Sequence, residues 1–259
     1  SEDLGLGEFR GASHHRWVEK EPVGVVAAIV PYNYPVQITL AKLAPALAAG
    51  CTVVVKGPPQ TPWTTAAIAR LVAESTDIPA GVVNVVNGSS SEVGEVLTTD
   101  PRVDMVSFTG STAVGRRIMA AASDTVKKVF LELGGKSAFI VLDDAELELA
   151  AMFAGFTICS HAGQGCAITS RLLVPESRHD EAVQLVVQTL EGVPYGDPRD
   201  PSNLMGPLIS EAQRERVEGH VRAAVDGGAT VATGGKRPEH LPAGYFFEPT
   251  LLAGVDPDA

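Results

Sequence analysis

Short runs of β-branched residues alternate with longer stretches in which apolar positions recur every three or four residues. That alternation predicts strands and helices in turn, and so an α/β fold built on a parallel sheet. Residues 23–30 (VGVVAAIV) are apolar nearly throughout, as a strand covered on both faces requires. Val36, Leu40, Leu43 and Leu47 then stand four, three and four apart, which puts them on one face of a helix that Gly50 closes. Strand 52–56 (TVVVK) follows. Thr61-Pro62 pairs an N-cap residue with a first-turn proline, opening a helix to about residue 74. Residues 82–86 and 105–108 read as two further strands, each ahead of a Gly/Ser-rich turn and a helix, and 126–131 as a fifth. These β-units predict a Rossmann-like doubly wound parallel sheet, a dinucleotide-binding domain over residues 1–133.

The run LGGK at 133–136 marks a boundary. Beyond it, strands at 138–142 and 171–174 and helices at 145–159, 178–190 and 211–225 predict a partial second α/β catalytic domain over 134–259. The last residues, EPTLLAGVDPDA, offer no closing element.

Composition narrows the function classes. Of 259 residues, 45% are apolar and 20% charged, which is a globular balance rather than a disordered one. The formal charge of 20 − 31 = −11 opposes binding to nucleic acid or an anionic membrane. No run is apolar enough for a membrane span, and the acidic start SEDLGLGEFR is unlike a signal peptide. Three cysteines, Cys51, Cys159 and Cys166, cannot all pair; reduced thiols in a cytoplasmic protein are expected, and no metal site.

Four places carry candidate chemistry. In residues 108–115 (FTGSTAVG) a strand runs into a glycine turn that opens a helix, a way of offering backbone N–H groups to phosphate, or simply a tight βα turn. Its spacing, with Thr112 where the dinucleotide fingerprint has a second glycine, leaves both readings open. Cys166 stands among glycines in HAGQGCAITSR, an accessible loop of the kind that suits a nucleophilic thiolate, whereas Cys51 and Cys159 sit in apolar patterns. Glu132 ends a strand before two glycines, where desolvation suits a general base; an ion pair with Lys128 or Lys136 is the alternative. Asn33, in PYNYP, either donates to an oxyanion or merely makes a turn.

The order of these motifs is more specific than any one of them. Pro31-x-Asn33-x-Pro35, Lys56, the 108–115 turn, Glu132-Leu-Gly-Gly-Lys136, Gly163-Gln-x-Cys166 and Gly206-Pro-Leu-Ile209 together resemble the aldehyde dehydrogenase superfamily over essentially the whole chain. The resemblance implies oxidation of an aldehyde to a carboxylic acid with NAD, or NADP. Cys166 attacks to form a thiohemiacetal, and hydride transfer to the nicotinamide leaves a thioester. Asn33 and the Cys166 N–H hold the oxyanion, Glu132 activates the hydrolytic water, and Lys42 supports Asn33 and proton traffic. For the cofactor it implies Ile29, Val30 and Pro31 along its path, Lys56 on the ribose hydroxyls, and Gly110 and Ser111 at the pyrophosphate. Val114 and Gly94 fall beside the adenine, Leu133 and Glu132 near the nicotinamide, and Phe108, Thr109 and Gly115 in the turn that frames it.

There are departures. Many NAD-preferring members carry Glu three residues after the lysine, where this chain has Pro59, so NAD versus NADP is open, with NAD the expectation; Tyr32 replaces a common Trp. The resemblance also implies a longer parent, a homodimer or homotetramer, and a 259-residue piece that lacks full activity. Two alternatives are a catalytically silent nucleotide-binding fragment and a CoA-acylating relative; the latter tends to lack the Glu found at 132.

Overall fold

The structure, a computed structural model, describes residues 2–256. The chain divides into two compact units, Ser1–Gly134 and Gly135–Ala259. The first begins with an antiparallel hairpin of β1 (Glu2–Phe9) and β2 (Ala12–Val18), followed by β3 (Val25–Ile29), α1 (Pro35–Ala48), β4 (Thr52–Lys56) and α2 (Pro62–Ser75). After these come β5 (Val83–Val86), α3 (Glu92–Thr99), β6 (Met105–Gly110), α4 (Thr112–Ala122) and β7 (Lys128–Leu133).

Strands β3 to β7 form one parallel sheet in the order β5-β4-β3-β6-β7. This is the doubly wound arrangement. Strand β3 is the middle strand, and the chain reverses its direction of travel across the sheet between β3 and β6, so the crevice for a ligand lies at their carboxyl ends.

Alternation along β3 explains the two cores. Val26, Ala28 and Val30 join Val53, Val55, Leu43 and Ile68 on one face, while Ala27 and Ile29 join Val106, Phe108 and Ile118 on the other. Each fully buried valine contributes on the order of 1.5–3 kcal/mol. At the opposite edge, the Asp104 carboxylate accepts from the Val25 N–H at 2.8 Å, while the Asp104 backbone bonds to both Val25 and Lys128. Gly24, at φ +115°, gives that carboxylate room: a Cβ there would collide with it.

Three local expectations need correction. The buried face of α1 carries Thr39, Lys42 and Leu43, while Val36 and Leu40 are exposed, because two of its inward positions are polar. The last strand of the sheet starts at Lys128, not at Val126, which lies outside it in the left-handed region at φ +52°. Strand β7 is moreover an edge strand with alternating exposure, so Glu132 is exposed instead of desolvated. The β1–β2 hairpin was not evident from the pattern. Its two-residue turn places Arg10 and Gly11 at φ +50° and +75°, the mirror-image geometry that matches strand twist.

The second unit contains β8 (Ser137–Ile140), α5 (Leu147–Cys159), β9 (Thr169–Leu173), α6 (His179–Glu191), α7 (Glu211–Asp226), β10 (Thr230–Thr233) and β11 (Leu251–Ala253). Strands β8 and β9 pair in parallel across the α5 connection. Helices α5 and α6 bury Ala151, Cys159, Val186 and Leu190 together with Val193 and Met205. Gly155 permits their close approach, since a Cβ there would press on Thr189. The final apolar run does close an element: β11 pairs antiparallel with β10. No helix among the described residues is long and apolar enough to cross a membrane.

Val126 is 88% exposed and β-branched, so its left-handed backbone is strained with little packing in return. Val126→Asn, which tolerates that conformation, is expected to stabilise the protein by about 1 kcal/mol in urea denaturation. A destabilised variant would show that the valine side chain earns its place.

Candidate active site

In the first unit, three strand ends and two helices surround a cavity of about 420 Å³. Ile29, Lys56 and Phe108 come from the carboxyl ends of β3, β4 and β6; Gly94 comes from α3, and Val114 and Ile118 from α4. Gly94 keeps α3 close, as a Cβ would already touch Ile29. An exposed ion pair, Arg117 to Glu95 at 3.0 Å, links α4 to α3 on the same lining; neither residue stood out in the sequence.

The turn into α4 has the features an anion needs. Ser111 caps the helix by accepting from the Val114 N–H at 3.4 Å, and its own conformation is extended. The other first-turn N–H groups lack intrahelical partners, as at any helix start. Gly110 sits where a Cβ would strike the Phe108 ring, and Gly115 where one would come within 2.9 Å of Leu133. The two glycines thus let the turn tighten and α4 lie close on β7. Thr109 is buried at the end of β6, and its hydroxyl has no hydrogen-bond partner among the described residues. Burial pushes the Lys56 amine below its ordinary pKa.

Beside this crevice, Pro31, Asn33 and Pro35 make the half-buried turn between β3 and α1. One level into α1 is Lys42, which is buried and donates to Ser107 Oγ at 3.0 Å from a position 5.7 Å above the Phe130 ring. Desolvation lowers the Lys42 pKa to about 8, partly opposed by the nearby Glu132 carboxylate. Lys42, Ser107, Phe130 and Glu132 therefore form one electrostatic group drawn from α1, β6 and β7. Ser107 and Phe130 were not foreseen, since neither residue type signals such a role outside its neighbours.

Of the three thiols, Cys51 in the first unit and Cys159 in the second are buried, and Cys166 in the second is exposed. Burial pushes the Cys159 thiol up to about 11, and Cys51 Sγ accepts from the Val23 N–H at 3.3 Å. Cys166 lies on the loop between α5 and β9, just after three consecutive left-handed residues, His161, Ala162 and Gly163. Two of these are not glycine, a strain of order 1–3 kcal/mol each. The side chain of Gln164 crosses that loop. Its Nε2 donates to the His161 carbonyl at 3.0 Å, and its Oε1 accepts from the Ile209 N–H at 3.1 Å.

Asn33, Lys42, Glu132 and the cavity residues belong to the first unit and Cys166 to the second. Within the first, the structure brings Lys42 and Glu132 into one group and gathers Ile29, Lys56, Gly94, Phe108 and Val114 around one cavity.

The aldehyde dehydrogenase family model matches residues 6–259. Aminoaldehyde dehydrogenase 1 of Pisum sativum, a peroxisomal protein, is 43% identical over 92% of this chain and 47% of its own length. The NADP(+) succinate-semialdehyde dehydrogenase GabD of Escherichia coli is 43% identical over 93% and 50%. Among solved structures, a Mycobacterium tuberculosis aldehyde dehydrogenase complexed with NAD+ aligns at TM-score 0.88 and 47% identity, over 91% of this chain and 48% of that one. An aldehyde dehydrogenase C mutant from Pseudomonas syringae, complexed with NAD+ and octanal, aligns at TM-score 0.90 and 38% identity, over 97% and 51%. The chain spans about half the length of the curated relatives it matches.

The Lys42 amine gives a test by pH. Its folded pKa lies below the ordinary 10.5, so between pH 8 and 10.5 the unfolded chain holds a proton that the folded one lacks. Stability from this group therefore rises with pH across that window, and below pH 8 the full cost of burying the charge is carried. Lys42→Met is expected to raise the unfolding free energy at pH 7 by about 1–3 kcal/mol, with the gain shrinking by pH 10. Urea denaturation of both proteins at the two pH values checks this; a difference that does not change with pH would refute it.

Proposed function

Because this chain belongs to the aldehyde dehydrogenase family, we propose that the whole protein oxidises an aldehyde to a carboxylic acid with NAD or NADP, using Cys166 as the nucleophile. The observation that carries the reading is the partition of the three thiols. Cys166 alone is exposed, on a strained glycine-bounded loop, while Cys51 and Cys159 are buried.

The cofactor reading is supported by fit. The cavity at the strand ends has apolar walls at Ile29, Gly94, Phe108 and Val114, and a buried cation at Lys56. These suit an adenine ring and the ribose hydroxyls. Gly110 and Ser111 open α4 toward a pyrophosphate, next to the unpartnered hydroxyl of Thr109 and the close packing of Gly115. Val30 and Pro31 continue the strand end that holds Ile29, and Leu133 ends β7 beside Glu132. Pro59 makes no bond to a ribose hydroxyl and puts no carboxylate against a 2′-phosphate, so both nucleotides are accepted in this reading. When bound, the nucleotide supplies the two-electron oxidant.

The residues of the chain do the rest. The Cys166 thiolate forms a C–S bond to the aldehyde carbon, and the carbonyl oxygen takes the negative charge. The Asn33 amide and the Cys166 backbone N–H donate to that oxygen. After oxidation the acyl group is a thioester on Cys166. Glu132 takes a proton from water; the resulting hydroxide attacks the acyl carbon, the C–S bond breaks and the thiolate leaves. Lys42, close to Glu132 and poised near pH 8, holds or passes that proton. The presence of Glu132 favours hydrolysis over acyl transfer to CoA. Free thiols support a cytoplasmic setting, and the exposed Leu6 and Trp17 of the hairpin support assembly into a homodimer or homotetramer.

In the full-length protein, an alkylating thiol probe mapped by mass spectrometry is expected to label Cys166 well ahead of Cys51 and Cys159, with NAD altering only the Cys166 rate. Cys166→Ala should abolish aldehyde-dependent reduction of NAD(P), by at least about a thousandfold. Glu132→Gln should leave an acyl mass on the Cys166 peptide. Equal labelling of the three thiols, retained turnover in Cys166→Ala, or a CoA thioester as the product would overturn the reading.

A further inference from the structure

We infer that Gln164 is a positioning residue for the nucleophile: its side-chain amide ties the strained turn before Cys166 to the backbone of the 206–209 segment. The inference rests on Cys166 being the nucleophile.

The geometry is specific. Gln164 uses both ends of one amide, donating from Nε2 to the His161 carbonyl at 3.0 Å and accepting at Oε1 from the Ile209 N–H at 3.1 Å. Its backbone N–H reaches the same His161 carbonyl at 3.1 Å, so that oxygen is gripped twice by one residue. Two residues further on is Cys166, followed by a turn in which the Ile168 N–H bonds to Gly165 O at 3.5 Å. Ile168 is buried. The cysteine is therefore held between an amide bridge on one side and a buried anchor on the other, with only Gly165 and Ala167 as spacers.

The far end of the bridge is itself fixed. The Leu208 N–H bonds to Tyr245 O at 3.0 Å, and the buried Arg214 donates to Gly244 O at 2.8 Å from α7. Arg214 also lies over the Tyr245 ring, 5.7 Å from its centroid. The chain of support thus runs from α7, through residues 244–245 and 208–209, to Gln164 and the loop. Left-handed backbone at His161 and Ala162 relaxes to ordinary conformations unless something holds it. The Gln164 amide is placed to do that, and both its donor and its acceptor are needed to span the gap.

The test is a variant series in the full-length protein. Gln164→Glu keeps the length and the acceptor for the Ile209 N–H but turns the donor into an oxygen facing the His161 carbonyl; Gln164→Met keeps the length and removes both hydrogen bonds. For Met, kcat is expected to fall about 10- to 100-fold, since a displacement near 1 Å is worth that much. The KM for NAD and the slow labelling of Cys51 and Cys159 should not change. Glu, which cannot donate to the His161 carbonyl, is expected to be impaired at least as much as Met. Should Met fail to fold, as rapid Cys159 labelling would report, Gln164→Asn takes its place: it keeps the amide but is one methylene too short to reach both partners. Full activity in Met, Asn or Glu would overturn the inference. The parallel Cys166→Ala control separates the two failures, because turnover there removes the nucleophile reading itself.

Discussion

A parallel strand buried on both faces leaves the chain only its ends for chemistry. Strand β3 is such a strand: Val26, Ala27, Ala28 and Ile29 are all buried, divided between two apolar clusters. Its backbone pairs with β4 and β6, and the Val25 N–H is taken by the Asp104 carboxylate. The polar groups proposed to act therefore lie at or just past the strand ends, at Asn33, Lys56, Thr109, Gly110 and Ser111. The cavity lies beside that edge, lined by α3 and α4, and glycines at 94 and 115 let those helices lie close.

Within this frame a buried polar group costs free energy unless it finds compensation. Lys42 is placed on the buried face of α1, and one hydroxyl and one aromatic ring are its nearest compensation. That leaves its charge incompletely solvated, which is what brings its proton affinity toward neutrality. In the second unit the cost takes another form. Left-handed residues before Cys166 present the thiol on an open loop, and the amide of Gln164 restrains them. One unit stores the cost as desolvation and the other as backbone strain.

Much of this was legible from the residues. β-Branched runs located the parallel strands to within about two residues, since burial on two faces demands continuous apolarity. The glycines around Cys166 correctly separated it from the two thiols set in apolar patterns. What failed did so where meaning depends on distant neighbours. The inward face of α1 was misread because Thr39 and Lys42, its buried positions, look like surface residues. Glu132 looked desolvated because no strand announces in its own sequence whether it is central or at an edge. The two strands of the β1–β2 hairpin hold a single β-branched residue, Val18, and its Arg-Gly turn is a weaker signal than Asn-Gly. Gln164 was visible in its motif, but its partner Ile209 is 45 residues away.

The strand order has a kinetic corollary. Val26 finds Val53 across one ladder and Met105 across the other, so the second pairing closes a loop of 79 residues. At ribosomal speeds of roughly 5–20 residues per second, the middle strand waits about 4–16 s for that neighbour to be synthesised. During this interval an apolar strand that is interior in the finished sheet is an open edge, the form in which strands aggregate. Until the sixth strand leaves the ribosome that edge has no partner, and slow, late sheet completion follows from the winding itself.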